Sequence, residues 1–290
     1  MNTTPYILAG ADGSEHAAHA VAWAAAEAAR LGAELRLIAV QEPWGDPHRI
    51  TAELQAAQTA TYEQALTAAQ AIAREVDADL QIRTVLRPGR AAHVLSEEAA
   101  GAYALVVGSR GRGGFSGMVL GSTSLRLTTR TGVPVIVVPD LRGVKREGVV
   151  VGLDGLQPSD HALGFAFDQA RSRGTSLRAV RVVRDPYWFG GAGAYGAWLE
   201  AAFATTAERI EEQLAPWREQ YPQVPVTGEP HRGHPAEALR TAGAHAELLV
   251  VGTRGHSLPG SLLLGSVGHG VLQSARCPVA VVGAPVVDQP

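Results

Sequence analysis

The chain has 290 residues, of which 46% are hydrophobic and 18% charged, and this composition excludes a disordered tail and a disulfide-stapled miniprotein. Its formal net charge of −3 excludes the broad positive field of a nonspecific nucleic-acid or membrane-surface binder, so we expect neither partner. The longest apolar runs fall far short of the ~20 residues of a membrane-spanning helix, and the N-terminal residues lack the pattern of an export signal. These features predict a cytoplasmic protein of two domains.

Short apolar runs alternate with longer alanine-rich segments along the first half of the chain. The predicted strands and helices are, in chain order, Tyr6–Ala11, Glu15–Leu31 (helix), Glu34–Gln41, Thr51–Val76 (helix), Leu80–Leu86, Ala91–Ala100 (helix), Ala104–Gly108, Ser122–Thr129 (helix) and Val135–Val138. Such alternation is typical of βα units around a buried parallel sheet. Ligands of these sheets bind beyond the carboxyl ends of the strands.

The second half repeats the first. The run Leu105–Gly111 returns 144 residues later as Leu249–Gly255, and Gly121 and Ser122 return as Gly265 and Ser266. The predicted strands of this half are Gly148–Leu153, Leu177–Val183, Val224–Glu229, Leu248–Gly252 and Val279–Val282. We therefore predict two tandem α/β domains, residues 1–141 and 147–287, joined by the polar segment 140–148. Each is a five-stranded doubly wound parallel sheet of the Rossmann-like class.

A glycine-rich pattern follows the fourth predicted strand of each half. The pattern is G-x2-G-x9-G-S, formed by Gly108, Gly111, Gly121 and Ser122 in the first half and by Gly252, Gly255, Gly265 and Ser266 in the second. Glycines permit close approach of a ligand to the backbone, and we expect Ser122 and Ser266 to cap helices whose N termini suit an anion. The pattern predicts a phosphate-binding loop, although an ordinary loop before a capped helix explains a single copy equally well.

Charged side chains accompany these loops. Asp12 and Asp154 follow the first strand of each half. A carboxylate there either binds a ligand group, namely a ribose hydroxyl, a base amine or a magnesium-bound water, or it caps the next helix. Arg110, Arg112 and Arg254 lie inside the glycine-rich loops and either contact phosphate oxygens or are solvated.

Other motifs predict neither catalysis nor a metal site. The only lysine, Lys145, lies in the linker, which excludes a Walker loop. The GxGxxG match at Gly191–Gly196 follows aromatic residues instead of a strand, so residues 187–198 are predicted to be an aromatic glycine-rich loop. The histidine pairs lack further ligands for zinc, and the loop serines lack a catalytic triad. Cys277 precedes an apolar strand and is predicted to be a core residue.

With these motifs in place, the chain resembles a tandem universal stress protein over nearly its whole length. The resemblance rests on both glycine-rich loops, on Gly10-Ala11-Asp12-Gly13-Ser14 after the first strand, and on the closing Val-Pro-Val-Ile-Val-Val strand. It implies an adenine-nucleotide hydrolase-like domain that binds ATP, with or without magnesium, and acts in stress adaptation rather than as an efficient enzyme.

The resemblance and the motifs together give the expected nucleotide contacts. In the first half these are Ala11, Asp12, Val40, Gly108, Arg110, Gly111, Arg112, Gly121, Ser122 and Thr123; in the second they are Asp154, Val183, Gly252, Arg254, Gly255, Gly265, Ser266 and Val267. The backbone of Val40 would pair with adenine. In the second half, Val182 is as good a candidate as Val183, because the segment carries a one-residue insertion. Leu156 replaces Ser14 there, and we expect tighter binding in the first half.

We therefore expect an ATP-binding regulatory protein. The alternatives are a slow magnesium-dependent ATPase or phosphotransferase and a nucleotide-free interaction scaffold. The resemblance also implies that the terminal strands, Val135–Val138 and Val279–Val282, pair with each other so that the two domains associate within the chain. Homodimerisation of the whole chain is a further expectation.

Overall fold

The computed structural model describes residues 5–43, 51–112, 120–141, 146–154, 159–184, 192–253 and 264–283. The chain divides into two compact units: of the described residues, 5–141 and Gly283 belong to the first and 146–282 to the second, so the first boundary falls inside the segment predicted to be the linker. None of the helices within the described ranges combines the length and the hydropathy that crossing a bilayer requires.

The first unit is a doubly wound parallel α/β sheet. Its elements are β1 (Tyr6–Gly10), α1 (Glu15–Leu31), β2 (Glu34–Gln41), α2 (Ala52–Val76), β3 (Ile82–Pro88), α3 (Ala91–Glu98), β4 (Ala104–Gly108), α4 (Ser122–Arg130) and β5 (Val135–Val138). The strands pair in parallel in the order β3-β2-β1-β4-β5. Strand order therefore reverses between β1 and β4, which is where such sheets bind their ligands.

Local signals explain the helix ends of this unit. The side chain of Ser14 caps α1 by accepting a hydrogen bond from the backbone N–H of Ala17 at 3.2 Å. Gly32 ends α1 in the left-handed conformation at φ +60°, which glycine adopts without strain. Thr51 caps α2 in the same way as Ser14, so this helix begins one residue later than predicted.

The second unit repeats this architecture. Its elements are β6 (Val149–Leu153), α5 (Ser159–Arg173), β7 (Leu177–Val183), α6 (Ala192–Gln220), β8 (Val226–Arg232), α7 (Pro235–Ala242), β9 (Leu248–Gly252), α8 (Ser266–Ser274) and β10 (Val279–Val282). The parallel order is β10-β9-β6-β7-β8. The predicted fold class, two tandem doubly wound sheets, is confirmed.

The aromatic loop predicted for residues 187–198 is wrong where the structure describes it. Residues 192–198 form the first turns of α6, and residues 187–191 lie outside the described ranges. Tyr195 and Trp198, three residues apart, lie on neighbouring positions of this helix with ring centroids 6.0 Å apart, and Arg232 stacks on Tyr195. These contacts favour a helix in spite of its glycines.

The cores are aliphatic and alanine-rich, with one aromatic group in the second unit. Phe167 stacks against Trp217 and Tyr221 at centroid distances of 5.6 and 5.2 Å. Cys277 is 1% exposed, which confirms that it is a core residue, and burial raises the pKa of its thiol to about 11.

Candidate functional site

A cleft of about 340 Å³ opens at the carboxyl ends of β1, β2 and β4, at the reversal of strand order in the first unit. This volume lies within the range of small-molecule sites. All the contact residues predicted for the first half line the cleft: Ala11, Asp12, Val40, Gly108, Arg110, Gly111, Arg112, Gly121, Ser122 and Thr123. The fold therefore brings together, around one cavity, residues that are spread over more than 100 positions of the sequence.

The N terminus of α4 faces this cleft without a side-chain cap. Gly121 is the N-cap, and Ser122 is the first helical residue, so the prediction that Ser122 caps the helix is wrong. The same correction applies to Ser266, because Gly265 is the N-cap of α8. Because both cap residues are glycines, no cap side chain accepts a hydrogen bond from the first N–H groups of either helix. Those groups, together with the helix dipole, can bind an anion.

Asp12 connects the end of β1 to the start of the glycine-rich loop. Its Oδ1 accepts the backbone N–H of Ser14 at 2.9 Å, and its Oδ2 accepts that of Arg112 at 3.0 Å. The cap of α1 is Ser14, so the alternative that Asp12 caps the helix is wrong. The carboxylate instead holds the loop beside the cleft.

The loop glycines serve different purposes. A Cβ on Gly108 would lie 2.6 Å from the carbonyl oxygen of His16, so this glycine allows α1 to pack closely on β4. A Cβ on Gly111 would lie 2.6 Å from Oδ2 of Asp12. At Gly121 the nearest atom, the carbonyl oxygen of Ser109, would be 3.4 Å away, an ordinary contact. Gly121 is therefore a residue of the cleft lining at which a methyl group fits into the fold.

Sequence reasoning missed part of the lining. Glu42 lies in the cleft and accepts the backbone N–H of Ala91, the first residue of α3, at 2.9 Å. Tyr62 of α2 also lines the cleft, and the guanidinium of Arg112 lies 5.6 Å from its ring centroid. Glu42 could have been found, since side chains two residues apart on an extended segment share a face and Val40 was predicted. No local pattern distinguishes Tyr62 from other helical residues.

His16, on α1, has a lowered pKa. Burial lowers the pKa of His16, and the nearby charge of Arg110 lowers it further. Within the described residues, Nδ1 of His16 is buried without a hydrogen-bond partner. His19, on the next turn of α1, lies 3.9 Å from a carboxylate oxygen of Asp140.

The second unit places its described contact residues at equivalent positions. Asp154 follows β6, Gly252 ends β9, and Gly265, Ser266 and Val267 begin α8. Arg254 and Gly255 lie outside the described residues.

The strand register distinguishes the two valine candidates of the second unit. Gly89 donates its N–H to the carbonyl oxygen of Gln41, and Gly233 donates in the same way to Val183. Val183 therefore corresponds to Gln41, and Val182 corresponds to Val40. Across the described ranges, no group of three or more His, Cys, Asp or Glu residues is arranged to hold a metal ion.

Comparisons with known proteins agree with this architecture. The Universal stress protein family model matches the chain twice, over residues 5–139 and 145–283. A universal stress protein of Mycolicibacterium smegmatis is 34% identical over 294 residues, covering 97% of this chain and 98% of its own length. One from Mycobacterium tuberculosis is 32% identical over 296 residues, covering 95% and 96%.

Solved structures show the same fold at lower identity. A universal stress protein from Archaeoglobus fulgidus matches with a TM-score of 0.71 at 18% identity, covering 97% of both chains. A Pseudomonas aeruginosa protein of unknown function matches with a TM-score of 0.63 at 16% identity, covering 97% of this chain and 93% of its own. The two matches of the family model, each spanning one unit, show that the chain belongs to the universal stress protein family and carries its domain twice in tandem.

Proposed function

We propose that the first unit binds an adenine nucleotide, ATP, and that the chain acts as a nucleotide-dependent regulatory protein in stress adaptation. One observation carries the proposal: an uncapped helix N terminus, a glycine-rich loop and two arginines converge on a single cleft at the reversal of strand order. Family membership supports the role in stress adaptation.

The phosphate end of the ligand would lie against α4. The first N–H groups of this helix bind anions through direct hydrogen bonds and the positive end of the helix dipole. Arg110 and Arg112 line the same cleft and supply full positive charges. Hydrogen bonds from guanidinium groups to phosphate are roughly twice as strong as neutral ones. A triphosphate therefore fits this end better than an uncharged group.

The nucleoside end would lie over β1 and β2. Val40 offers its backbone to the base, and the aliphatic side chains of Ile38 and Leu95 form an apolar floor. The carboxylate of Asp12 already accepts two backbone N–H groups, but each oxygen has a second lone pair for a ribose hydroxyl. Glu42 lies at the same end, at the lip of the cleft.

We further propose that the first unit binds ATP without hydrolysing it efficiently. Asp12 is fixed to the backbone by both of its oxygens, which suits a carboxylate that orients the loop better than one that shuttles a proton. Magnesium, when it accompanies ATP, would be held mainly by phosphate oxygens, with Asp12 within reach of its water shell. Slow hydrolysis is the alternative, and release of phosphate measured beside binding distinguishes the two.

Isothermal titration calorimetry with ATP tests the proposal on the full chain. Gly121→Ala adds a methyl group at the anion-binding end of α4 where the fold has room, so we expect about a tenfold loss of ATP affinity. Gly265→Ala makes the same change at the N-cap of α8 and is the matched control. The proposal fails if the wild-type chain gives no heat with ATP at millimolar concentration, or if the two variants weaken the tightest ATP site equally.

The assembly and the location of the protein stay predictions. Pairing of the two domains, formation of a homodimer and residence in the cytoplasm follow from the resemblance and the sequence. Light scattering tests the homodimer, since a chain of 30.3 kDa that keeps this mass over a broad concentration range is a monomer.

A further inference from the structure

Arg112 is held at its backbone beside the cleft. Its N–H donates to Oδ2 of Asp12 at 3.0 Å, and Oδ1 of the same carboxylate accepts the N–H of Ser14 at 2.9 Å. Ser14 is the N-cap of α1, so the backbone of Arg112 has a fixed position relative to the start of this helix. The side chain of Arg112 is exposed, and a free arginine side chain samples many rotamers. A ligand that binds the guanidinium group must order this side chain, unless the protein has already done so.

The ring of Tyr62 restricts the side chain of Arg112. The guanidinium carbon lies 5.6 Å from the ring centroid, within the ~6 Å over which a cation is attracted to the face of an aromatic ring. Both residues line the cleft. An arginine that stacks on a ring keeps the N–H groups at the edge of its guanidinium available for hydrogen bonds. The contact therefore orders the side chain and leaves its donors free to bind a phosphate.

The turn of α2 that carries Tyr62 packs against the segment that holds Arg112. Ala65, three residues after Tyr62, is buried and lies on the same side of the helix. A Cβ built on Gly13 would lie only 3.2 Å from Cβ of Ala65. Gly13 directly follows Asp12, the partner of the Arg112 N–H. The ring and the guanidinium group are thus both positioned relative to one short segment at the end of β1.

The preceding turn of α2 is joined to the end of β2. Nε2 of Gln58 donates to the backbone carbonyl oxygen of Glu42 at 3.1 Å, and the hydroxyl of Thr59 donates to Oε1 of Gln41 at 3.2 Å. These two donors lie four and three residues before Tyr62. The helix is therefore anchored on both sides of Tyr62, which gives the ring a fixed backbone.

Another arginine–tyrosine contact of this unit has a different setting. The guanidinium carbon of Arg36 lies 3.6 Å from the ring centroid of Tyr6, but Arg36 also forms an ion pair with Glu34 at 2.9 Å. Tyr6 and Arg36 lie near the amino ends of β1 and β2, at the opposite edge of the sheet from the cleft. This pair is therefore a control for the contact in the cleft.

We propose that Tyr62 is a positioning residue that holds the guanidinium group of Arg112 in place for the phosphate groups of the ligand. This inference rests on the proposed function, because the phosphates are those of the nucleotide bound by the first unit. Tyr62 acts through Arg112 and not through a contact of its own with the nucleotide. Its ring reduces the conformational entropy that the arginine side chain loses when ATP binds.

A double-mutant cycle on ATP affinity, measured by isothermal titration calorimetry of the full chain, tests this role. Arg112→Ala should weaken ATP binding about tenfold, through the loss of a charged hydrogen bond. Tyr62→Leu removes the ring but keeps an apolar side chain, and it should weaken binding about fivefold. In the Arg112→Ala background, Tyr62→Leu should change the affinity by less than about twofold, because no guanidinium group is left to position.

Two variants separate positioning from other roles. Tyr62→Phe keeps the ring and should stay within about twofold of the wild type. An equal loss in Tyr62→Phe and Tyr62→Leu would assign the effect to the hydroxyl group and overturn the proposal. Arg36→Ala removes the same charge from a tyrosine ring outside the cleft, and it should also stay within about twofold. If it weakens ATP binding as much as Arg112→Ala does, the effect is one of net charge and the proposal is wrong.

Nuclear magnetic resonance of the arginine-labelled chain detects the contact without a ligand. The Nε resonance of Arg112 is assigned from its loss in Arg112→Ala. Because the ring current of an aromatic side chain displaces the resonances of atoms above its face, Tyr62→Leu should move this resonance and Tyr62→Phe should leave it near its wild-type position. A resonance that does not respond to Tyr62→Leu overturns the proposal.

The calorimetric outcomes distinguish this inference from the proposed function. If the wild-type chain gives no heat with ATP, the proposed function fails and this inference fails with it. If ATP binds and the full loss from Tyr62→Leu persists in the Arg112→Ala background, Tyr62 contacts the nucleotide directly. In that case the positioning role alone is wrong, and nucleotide binding stands.

Discussion

Gly108→Ala should destabilise the first unit through a backbone clash and not through lost ligand contacts. The added Cβ would lie 2.6 Å from the carbonyl oxygen and 2.7 Å from the carbonyl carbon of His16, whereas ordinary contacts begin at 3.4 Å. The atoms must separate by about 0.8 Å. Both sides of the contact are backbone, in β4 and α1, so no side-chain rotation can relieve the overlap.

The expected magnitude follows from overpacking data. Extra methyl groups in well-packed sites cost about 1–3 kcal/mol, and a contact between two backbone segments belongs in the upper half of that range. For a unit of this size, 1 kcal/mol corresponds to roughly 2–4 °C in Tm. We expect the unfolding transition of the first unit to fall by about 5–10 °C.

Differential scanning calorimetry measures this shift, and Gly10→Ala is the matched control. Gly10 ends the neighbouring strand β1, and its added Cβ would meet the nearest atom, Cγ1 of Val107, at 3.5 Å. We expect this variant to stay within about 1 kcal/mol of the wild type, since alanine also restricts the unfolded chain. Equal Tm values for the two variants would refute the reasoning, as would a Gly108→Ala chain as stable as the wild type.

Three further outcomes follow from the structure. Because burial, and after it the charge of Arg110, lowers the pKa of His16 below 6.5, the unfolded chain binds a proton more readily than the native one. The free energy of unfolding should therefore fall as pH drops from 7 to 5, and His16→Asn should flatten this slope in urea titrations; an unchanged slope counts against the assignment. With its pKa raised from 9.0 to about 11, Cys277 should react with iodoacetamide at pH 8 about a hundredfold more slowly in the native chain than in urea, as followed by mass spectrometry. Ser14→Ala should cost about 1 kcal/mol by removing the cap of α1, while Ser14→Asn should retain most of it in the same denaturant assay.

The strand bounds could be predicted from the sequence to within one residue, except for those of the edge strands β3 and β8. The predicted bounds of β2, β4, β5, β7, β9 and β10 agree with the structure. Interior strands of a parallel sheet, buried on both faces, read as continuous apolar runs. β3 begins two residues later than predicted, at Ile82, because the buried Leu80 belongs to the preceding turn. It runs on to Pro88 because an exposed edge strand tolerates polar residues and proline.

In the site, too, features set by neighbouring residues could be predicted from the sequence, whereas contacts between distant segments could not. The glycine spacing of the loop is a local feature, and the glycines that it singles out in the first unit, Gly108, Gly111 and Gly121, line the cleft. Whether Ser122 or Gly121 caps α4 depends on a one-residue shift that the spacing does not resolve. Tyr62 reaches the cleft only because α2 is brought beside the loop, and a contact over that separation leaves no pattern in either segment.

The hydrogen bond from the backbone N–H of Arg112 to the carboxylate of Asp12 ties the start of the glycine-rich loop to the end of β1. A bond to an ionised carboxylate contributes about 1.5–3 kcal/mol, so a chain in which this bond is broken would be populated at roughly 1–10% of the bonded one. A ligand that needs Asp12 for its own hydroxyl group competes with that bond, whereas one that uses only the second lone pair preserves it. The association rate would then distinguish the two kinds of ligand. A competing ligand binds only to the small fraction of chains in which the bond is broken, so it should associate more slowly than a ligand that leaves the bond intact.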